Sequence, residues 1–295
     1  MTSEDRTFIL GVGAQKCGTS WLFSYLNRNP AIASSTYKEL HFFDAIYNPK
    51  WFGNFNDGFA RDITEELQRQ GTDEFNADRL RDASLRINAL YDRDLYLTLF
   101  ERNATRATTH FLEITPTYST LSEDQLLEVR SLILSRCQKI KVIFLMRDPA
   151  ERLYSLHKHR TRAGTKRLEK VGLSSKFLAR KLAGTPDILD LMKEPAAAAR
   201  GRYDQSITAL QAAFPEEELH FEFYENLFST DAVRSVCQFL NVDFVSPDFD
   251  QRVNASPDSL DAGTETFEQV REHLDPVYRF CADRFPDTLP KSWMV

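Results

Sequence analysis

The chain has 295 residues, enough for one large α/β domain or two small ones around a sizeable core. Its apolar fraction of 42% and charged fraction of 27% are those of an ordinary globular protein, and no apolar run reaches the length of a membrane span. The net charge of −6 argues against a general nucleic-acid binder, and the four cysteines (Cys17, Cys137, Cys237, Cys281) lack metal-ligand spacing, so reduced thiols are expected. The first residues, Met1-Thr2-Ser3-Glu4-Asp5-Arg6, lack a signal-peptide pattern, and a single cytoplasmic domain over residues 1–295 is the expectation.

The first element is the most informative. An apolar run, Phe8-Ile9-Leu10, leads into Gly11, Gly13 and the loop Ala14-Gln15-Lys16-Cys17-Gly18-Thr19-Ser20, after which Trp21, Leu22, Tyr25 and Leu26 recur at helical spacing. Strand, glycine-bearing turn and helix together aim backbone N–H groups and a helix dipole at one point, which suits a phosphate-like anion. Lys16 adds a full charge, and Thr19 and Ser20 add hydroxyls. Gly13 and Gly18 have the spacing of a nucleotide-triphosphate loop, but Thr19 stands where that loop has its lysine.

Asn29-Pro30 closes this helix, and Ala31-Ile32-Ala33 reads as a short strand delivering the chain to Lys38-Glu39. Residues Asn48 to Gly58 read as an irregular aromatic loop, and Ile63 to Gln70 and Arg79 to Phe100 as helices. Thr109 to Leu112 is a predicted strand, and Ser122 is a predicted cap for a helix running to about Cys137. The run Lys141-Val142-Ile143-Phe144-Leu145-Met146 suits a buried parallel strand. It ends in Arg147, and Pro149 suits the first position of the next helix, leaving Ser155 about two turns in. Arg147, Arg152 and Ser155 are then expected to converge near that helix start. Arg147 at a strand end points to a second bound anion and not to a metal ligand.

Between Arg152 and Lys181 lie ten Lys or Arg residues against one acid, Glu169, a basic field able to steer an anionic ligand. Leu173 to Arg200 reads as mainly helical, Ile207, Leu210 and Phe214 form an apolar stripe, Leu219 to Phe223 alternates like a strand, and Thr230 to Leu240 reads as a helix. Alternating strands and helices predict an α/β fold, one parallel sheet covered on both faces.

Gln15-Lys16-Cys17-Gly18-Thr19-Ser20-Trp21 resembles the 5′-phosphosulfate loop of sulfotransferases that use 3′-phosphoadenosine 5′-phosphosulfate (PAPS). Arg147-Asp148-Pro149-x-x-Arg152-x-x-Ser155 resembles their 3′-phosphate motif, and Lys38-Glu39-Leu40-His41-Phe42-Phe43-Asp44 is similar to the segment carrying the catalytic glutamate in the heparan sulfate branch. The resemblance implies the P-loop-like sulfotransferase fold in a bacterial-type enzyme without a membrane anchor. It implies PAPS as donor, 3′-phosphoadenosine 5′-phosphate (PAP) as product, no required metal, and a small-molecule or saccharide acceptor. Lys16, Cys17, Gly18, Thr19, Ser20, Trp21, Arg147 and Ser155 are then the candidate cofactor contacts.

Within that reading Glu39 is the candidate general base and Lys16 stabilises the leaving phosphate. Lys38 contacts the sulfonate or holds Glu39 ionised, and His41 is the alternative base or an orienting partner of Glu39. Phe42 and Phe43 are expected as wall or core, and Asp44 as a ligand of the acceptor or of a neighbouring cation. Ile114 stands where the heparan sulfate branch has a lysine, so heparan sulfate itself is not the expected acceptor. Arg252-Val253-Asn254-Ala255-Ser256 is the candidate substitute for the family's late basic loop. Two other functions stay open on sequence alone: a Mg²⁺-dependent P-loop kinase, and a non-catalytic binder of anionic polysaccharide using the basic field.

Overall fold

The computed structural model describes residues 5–49, 55–170, 187–249 and 264–294, with backbone only for residues 56, 163–170 and 264–265. The strand β1 (Thr7–Gly13) is buried from Phe8 onward and runs into helix α1 (Thr19–Leu26), followed by β2 (Ile32–Ser34). Four helices, α2 (Phe42–Tyr47), α3 (Phe55–Gln68), α4 (Ala77–Ala89) and α5 (Leu95–Glu101), precede β3 (His110–Ile114). Then come α6 (Glu123–Leu134), β4 (Lys139–Met146) and α7 (Pro149–Lys170). The short helices α8 (Ile188–Lys193) and α9 (Pro195–Ala199) lead to α10 (Tyr203–Ala213), β5 (Leu219–Phe223), α11 (Tyr224–Leu227) and α12 (Thr230–Leu240). The last two are α13 (Thr264–His273) and α14 (Asp275–Arg284).

The five strands form one sheet in the order β2-β3-β1-β4-β5, with every neighbouring pair parallel. β3 is buried at every position and β4 at all but its first and third residues, so both faces of the sheet are covered, as parallel strands require. From β1 the chain crosses to β2 on one side, and from β4 it crosses to β5 on the other. The strand order therefore reverses between β1 and β4, and in such sheets ligands lie in the crevice beyond the C-terminal strand ends at that point. The loop at Lys16 follows β1 and Arg147 follows β4, so the topology puts both cationic motifs at one crevice.

The main core packs aromatic side chains against β1: the Phe8 ring meets Phe100 edge-on at a centroid distance of 5.0 Å, and Tyr96 stacks on Phe42 at 4.7 Å. A smaller cluster, built on Leu153, Leu156, Ile188, Leu191 and Val270, lies beneath α7. All four cysteines are free and buried, as their spacing suggests. Among the described residues no helix is long and apolar enough to cross a membrane.

Several boundaries differ from the sequence expectation. Residues Phe55 to Gly58 belong to α3 and not to a loop, because Phe55 and Phe59 pack together at one helical turn's spacing. The expected helix from Arg79 to Phe100 is two helices, α4 and α5, broken between Ala89 and Leu95 where the chain turns at Tyr91-Asp92. α6 starts as expected, with a reciprocal capping box between Ser122 and Gln125, but ends at Leu134. In the stretch expected to be helical from Leu173 to Arg200, residues 171–186 lie outside the described residues, as do Trp51, Phe52 and Arg252 to Ser256; the remainder forms α8 and α9.

Candidate active site

The loop after β1 is shaped by its glycine. Gly18 is the N-cap of α1 with φ of 86°, in the left-handed region, and a Cβ there would stand 2.8 Å from Leu227 Cδ2 and 3.2 Å from the Tyr224 ring. Replacing Gly18 with Ala is therefore expected to cost about 1–3 kcal/mol through strain and overpacking, read as a fall in the denaturant midpoint at unchanged m. Among the described residues the amides of Lys16, Gly18, Thr19 and Ser20 have no backbone acceptor, and they open a buried helix whose dipole is positive at that end. Burial, and then the charges of Arg147 and Arg162, pull the Lys16 ammonium below its ordinary value. Cations crowded this closely favour an anion among them. The Cys17 side chain points the other way: it is fully buried with its thiol 3.6 Å from the Tyr203 hydroxyl, and burial pushes it up to about 11. Trp21 is also buried, stacked on Tyr25 and Phe249, with its edge toward Phe228.

The segment before α2 carries a chain of charges. Lys38 Nζ donates to Ser20 Oγ at 2.8 Å and to Glu39 Oε1 at 2.7 Å, so a single ammonium ties the loop hydroxyl to the glutamate. His41 Nε2 lies 3.5 Å from Glu39 Oε2, and His41 Nδ1 meets Asp44 Oδ2 at 2.7 Å. Thr117 donates to the same Asp44 oxygen, and Asp44 is fully buried. Burial works against the charged form of both Glu39 and His41, yet the interactions between them and with Lys38 and Asp44 win. Glu39 is held down at about 2, chiefly by His41 and then Lys38, and His41 is raised to about 9, chiefly by Asp44 and then Glu39. At neutral pH Glu39 is a carboxylate and His41 an imidazolium, which has no lone pair to accept a proton. Phe42 and Phe43 are core, both 1% exposed. Asp44 is the partner of a neighbouring cation, His41.

Beyond β4, Arg147 lies over the Tyr224 ring at 4.6 Å and pairs with Glu151 at 3.1 Å, one turn along α7. Ser155 is two turns into that helix, half-buried, as its spacing from Pro149 predicts. Arg152 does not join them as expected: it is 2% exposed and its Nη2 donates inward to the Ala197 carbonyl at 3.2 Å. The start of α7 is fastened by Asp148, whose Oδ1 accepts from the amides of Ala150 and Glu151 and from the Tyr278 hydroxyl, while Oδ2 pairs with Arg271 at 3.0 Å.

Three groups escaped the sequence reading. Arg200, after a featureless alanine run, donates to Gln15 at 3.2 Å and is drawn down to about 10 mainly by burial. Thr117 anchors the Asp44–His41 pair. Tyr224 and Phe228 form an aromatic shelf beside Gly18, with Phe228 meeting Trp21 at 5.2 Å and still 38% exposed. Neither the shelf nor Arg200 carried a signal in the sequence, because only the fold brings residues 200 to 228 to the loop after β1. Of the basic field, Arg162 and His159 lie near enough to Lys16 for their charges to act on one another.

A profile of the family described as "Sulfotransferase domain" matches residues 4–257. No curated protein matches the chain. Among solved structures, a sulfotransferase from Alicyclobacillus acidocaldarius is 20% identical over 98% of this chain and 99% of its own, with a TM-score of 0.60, a likeness of fold. The sulfotransferase domain of the Synechococcus PCC 7002 olefin synthase is 15% identical over 92% of this chain and 95% of its own, with a TM-score of 0.47.

Proposed function

The chain belongs to the sulfotransferase family, and from that premise we propose that it moves the sulfuryl group of PAPS to a hydroxyl or amine of a small or carbohydrate acceptor. The residues fit such a donor. The amides of Lys16, Gly18, Thr19 and Ser20 and the Lys16 ammonium suit its 5′-phosphosulfate, Arg147 and Ser155 its 3′-phosphate, and the shelf of Trp21, Tyr224 and Phe228 its base. Lys16 is held below its ordinary value first by burial and then by Arg147 and Arg162, and a bound anion would offset the repulsion among these cations.

The single observation that carries the reading is Lys38, hydrogen-bonded at once to Ser20 of the loop and to Glu39. It sets a carboxylate one side chain away from where the loop would hold a sulfonate. In the proposed step Glu39 takes the proton from the acceptor, the acceptor's oxygen or nitrogen forms a bond to sulfur, and the bridging oxygen leaves with the 5′-phosphate, its charge met by Lys16. His41 and, after it, Lys38 keep Glu39 weakly basic, and a sulfonate that competes for the Lys38 ammonium removes the second of these and raises the carboxylate's proton affinity at the moment of transfer. His41, held protonated by Asp44, orients Glu39 and does not replace it.

Two measurements test this. Transfer of radiolabelled sulfonate from PAPS to a panel of phenols, saccharides and amines is expected to yield labelled product; no product, with Mg²⁺-dependent ATP consumption instead, sinks the proposal. Arg147→Ala is expected to weaken PAP binding roughly tenfold to a hundredfold by calorimetry, the worth of one charge-assisted phosphate contact.

A further inference from the structure

Residues 36–40, which include Lys38 and Glu39, lie in neither a helix nor a strand, and among the described residues their backbone finds no backbone partner. A carboxylate borne on such a segment keeps one position only if side chains from elsewhere fix the chain on either side of it. Helix α4 supplies two. Asp82 and Arg86 stand one turn apart on its buried face, 0% and 4% exposed. Asp82 Oδ2 accepts from both the amide and the hydroxyl of Thr36, each at 2.8 Å, while Oδ1 pairs with Arg102 at 3.1 Å. Arg86 Nη2 donates to the Leu40 carbonyl at 3.1 Å, and Nη1 donates to Asp62 of α3 at 2.8 Å.

The Arg86 guanidinium is itself fixed, lying over the Phe59 ring at 4.0 Å and the Tyr37 ring at 4.4 Å. The residue after Leu40 is His41, whose φ of 51° is a left-handed conformation, unfavourable for a side chain with a Cβ and kept only where the surroundings enforce it. Arg86 holds the chain before it, and Phe55 of α3 stacks on its ring at 5.1 Å. In that conformation His41 Nδ1 meets Asp44 and Nε2 faces Glu39.

We propose that Asp82 and Arg86 are positioning residues for the transfer step: from α4 they grip Thr36 and Leu40, on either side of Lys38 and Glu39, and so set where the carboxylate and the His41 ring stand. The assignment rests on the proposed role of Glu39. Both residues act through the chain they hold, so their loss strikes turnover, whereas the donor contacts at the Lys16 loop and Arg147 stand on other elements.

Arg86→Met and Arg86→Lys in the full-length protein test this by turnover of radiolabelled PAPS, by calorimetric PAP binding and by NMR titration of His41. Lysine keeps a charge beside Asp62 but has no fork to hold Asp62 and Leu40 together. Turnover is expected to fall about a hundredfold in Arg86→Met and about tenfold in Arg86→Lys, with PAP affinity within about threefold of the wild type. His41 is expected to titrate near 9 in the wild type and closer to the ordinary histidine value in both variants. The direction is diagnostic, because losing the Arg86 charge or freeing the Asp62 carboxylate would by itself push His41 up, so a fall reports displacement from Asp44 and Glu39. Ile133→Ala, a truncation in the main core on α6, controls for lost stability and is expected to leave the His41 titration unchanged. The proposal is overturned if His41 and turnover in Arg86→Lys match the wild type, or if Ile133→Ala moves His41 equally. Should neither Arg86 variant fold, Thr36→Val, which removes one bond to Asp82 at an exposed position, decides: turnover lowered about threefold at unchanged PAP affinity is expected, and wild-type turnover overturns the proposal. A wild type that transfers nothing from PAPS sinks the reading of Glu39, while the His41 titration still decides whether α4 sets the geometry of this segment.

Discussion

Replacing Glu39 with Gln is expected to lower kcat about 10²- to 10⁴-fold while PAP affinity stays within about threefold of the wild type. The amide keeps the size of the carboxylate and can still accept from Lys38, whose bond to Ser20 at 2.8 Å does not pass through residue 39. What it loses is the ability to take a proton. The competing base, His41, sits at about 9 because Asp44 and Glu39 both face it, so at neutral pH it is already protonated. If His41 were the base after all, Glu39→Gln would lower its proton affinity only partly, and transfer would persist with a shifted pH profile. Single-turnover transfer alongside calorimetric PAP binding separates these outcomes, and unchanged transfer in the variant removes Glu39 from the proposed step.

Asp148→Ala is expected to destabilise the protein by about 3–5 kcal/mol, the usual cost of removing one partner of a buried, hydrogen-bonded ion pair. Asp148 is 3% exposed, and among the described residues its loss strips the Glu151 amide and the Tyr278 hydroxyl of their acceptor, leaves the Ala150 amide only Tyr278, and leaves Arg271 only the Trp293 carbonyl. The phenol of Tyr278 is pushed well up by burial and by that same carboxylate. Denaturant unfolding measures the loss, and a cycle with Arg271→Met apportions it. Asp148→Asn, which keeps the cap but not the charge pair, is expected to lose less. A midpoint unchanged in Asp148→Ala would mean that the start of α7, and with it Arg147, is held by other contacts.

Much of this fold was readable because the forces behind it act over a few residues. β5 and α12 have the bounds expected from alternation and from helical spacing, Pro149 starts α7, and Ser122 closes a capping box with Gln125. The helix break at Tyr91 was missed because helical periodicity continues across it, and only packing of α5 under the sheet turns the chain there. The glycine loop, Lys38-Glu39 and the arginine after β4 were legible as motifs, since each is a short run of residue types with one chemical use.

The sequence by itself therefore determined the local pieces: which segments are strands, where an anion-binding turn occurs, and which cations stand ready beside it. Only the tertiary structure decided that the Lys16 loop and Arg147 share a crevice, because that depends on β1 and β4 pairing across more than a hundred residues and on the strand order reversing between them. The same packing buried Arg152 against Ala197 and brought Arg200 to Gln15. No periodicity encodes either contact, since each is set by helices from distant parts of the chain competing for the same covered surface.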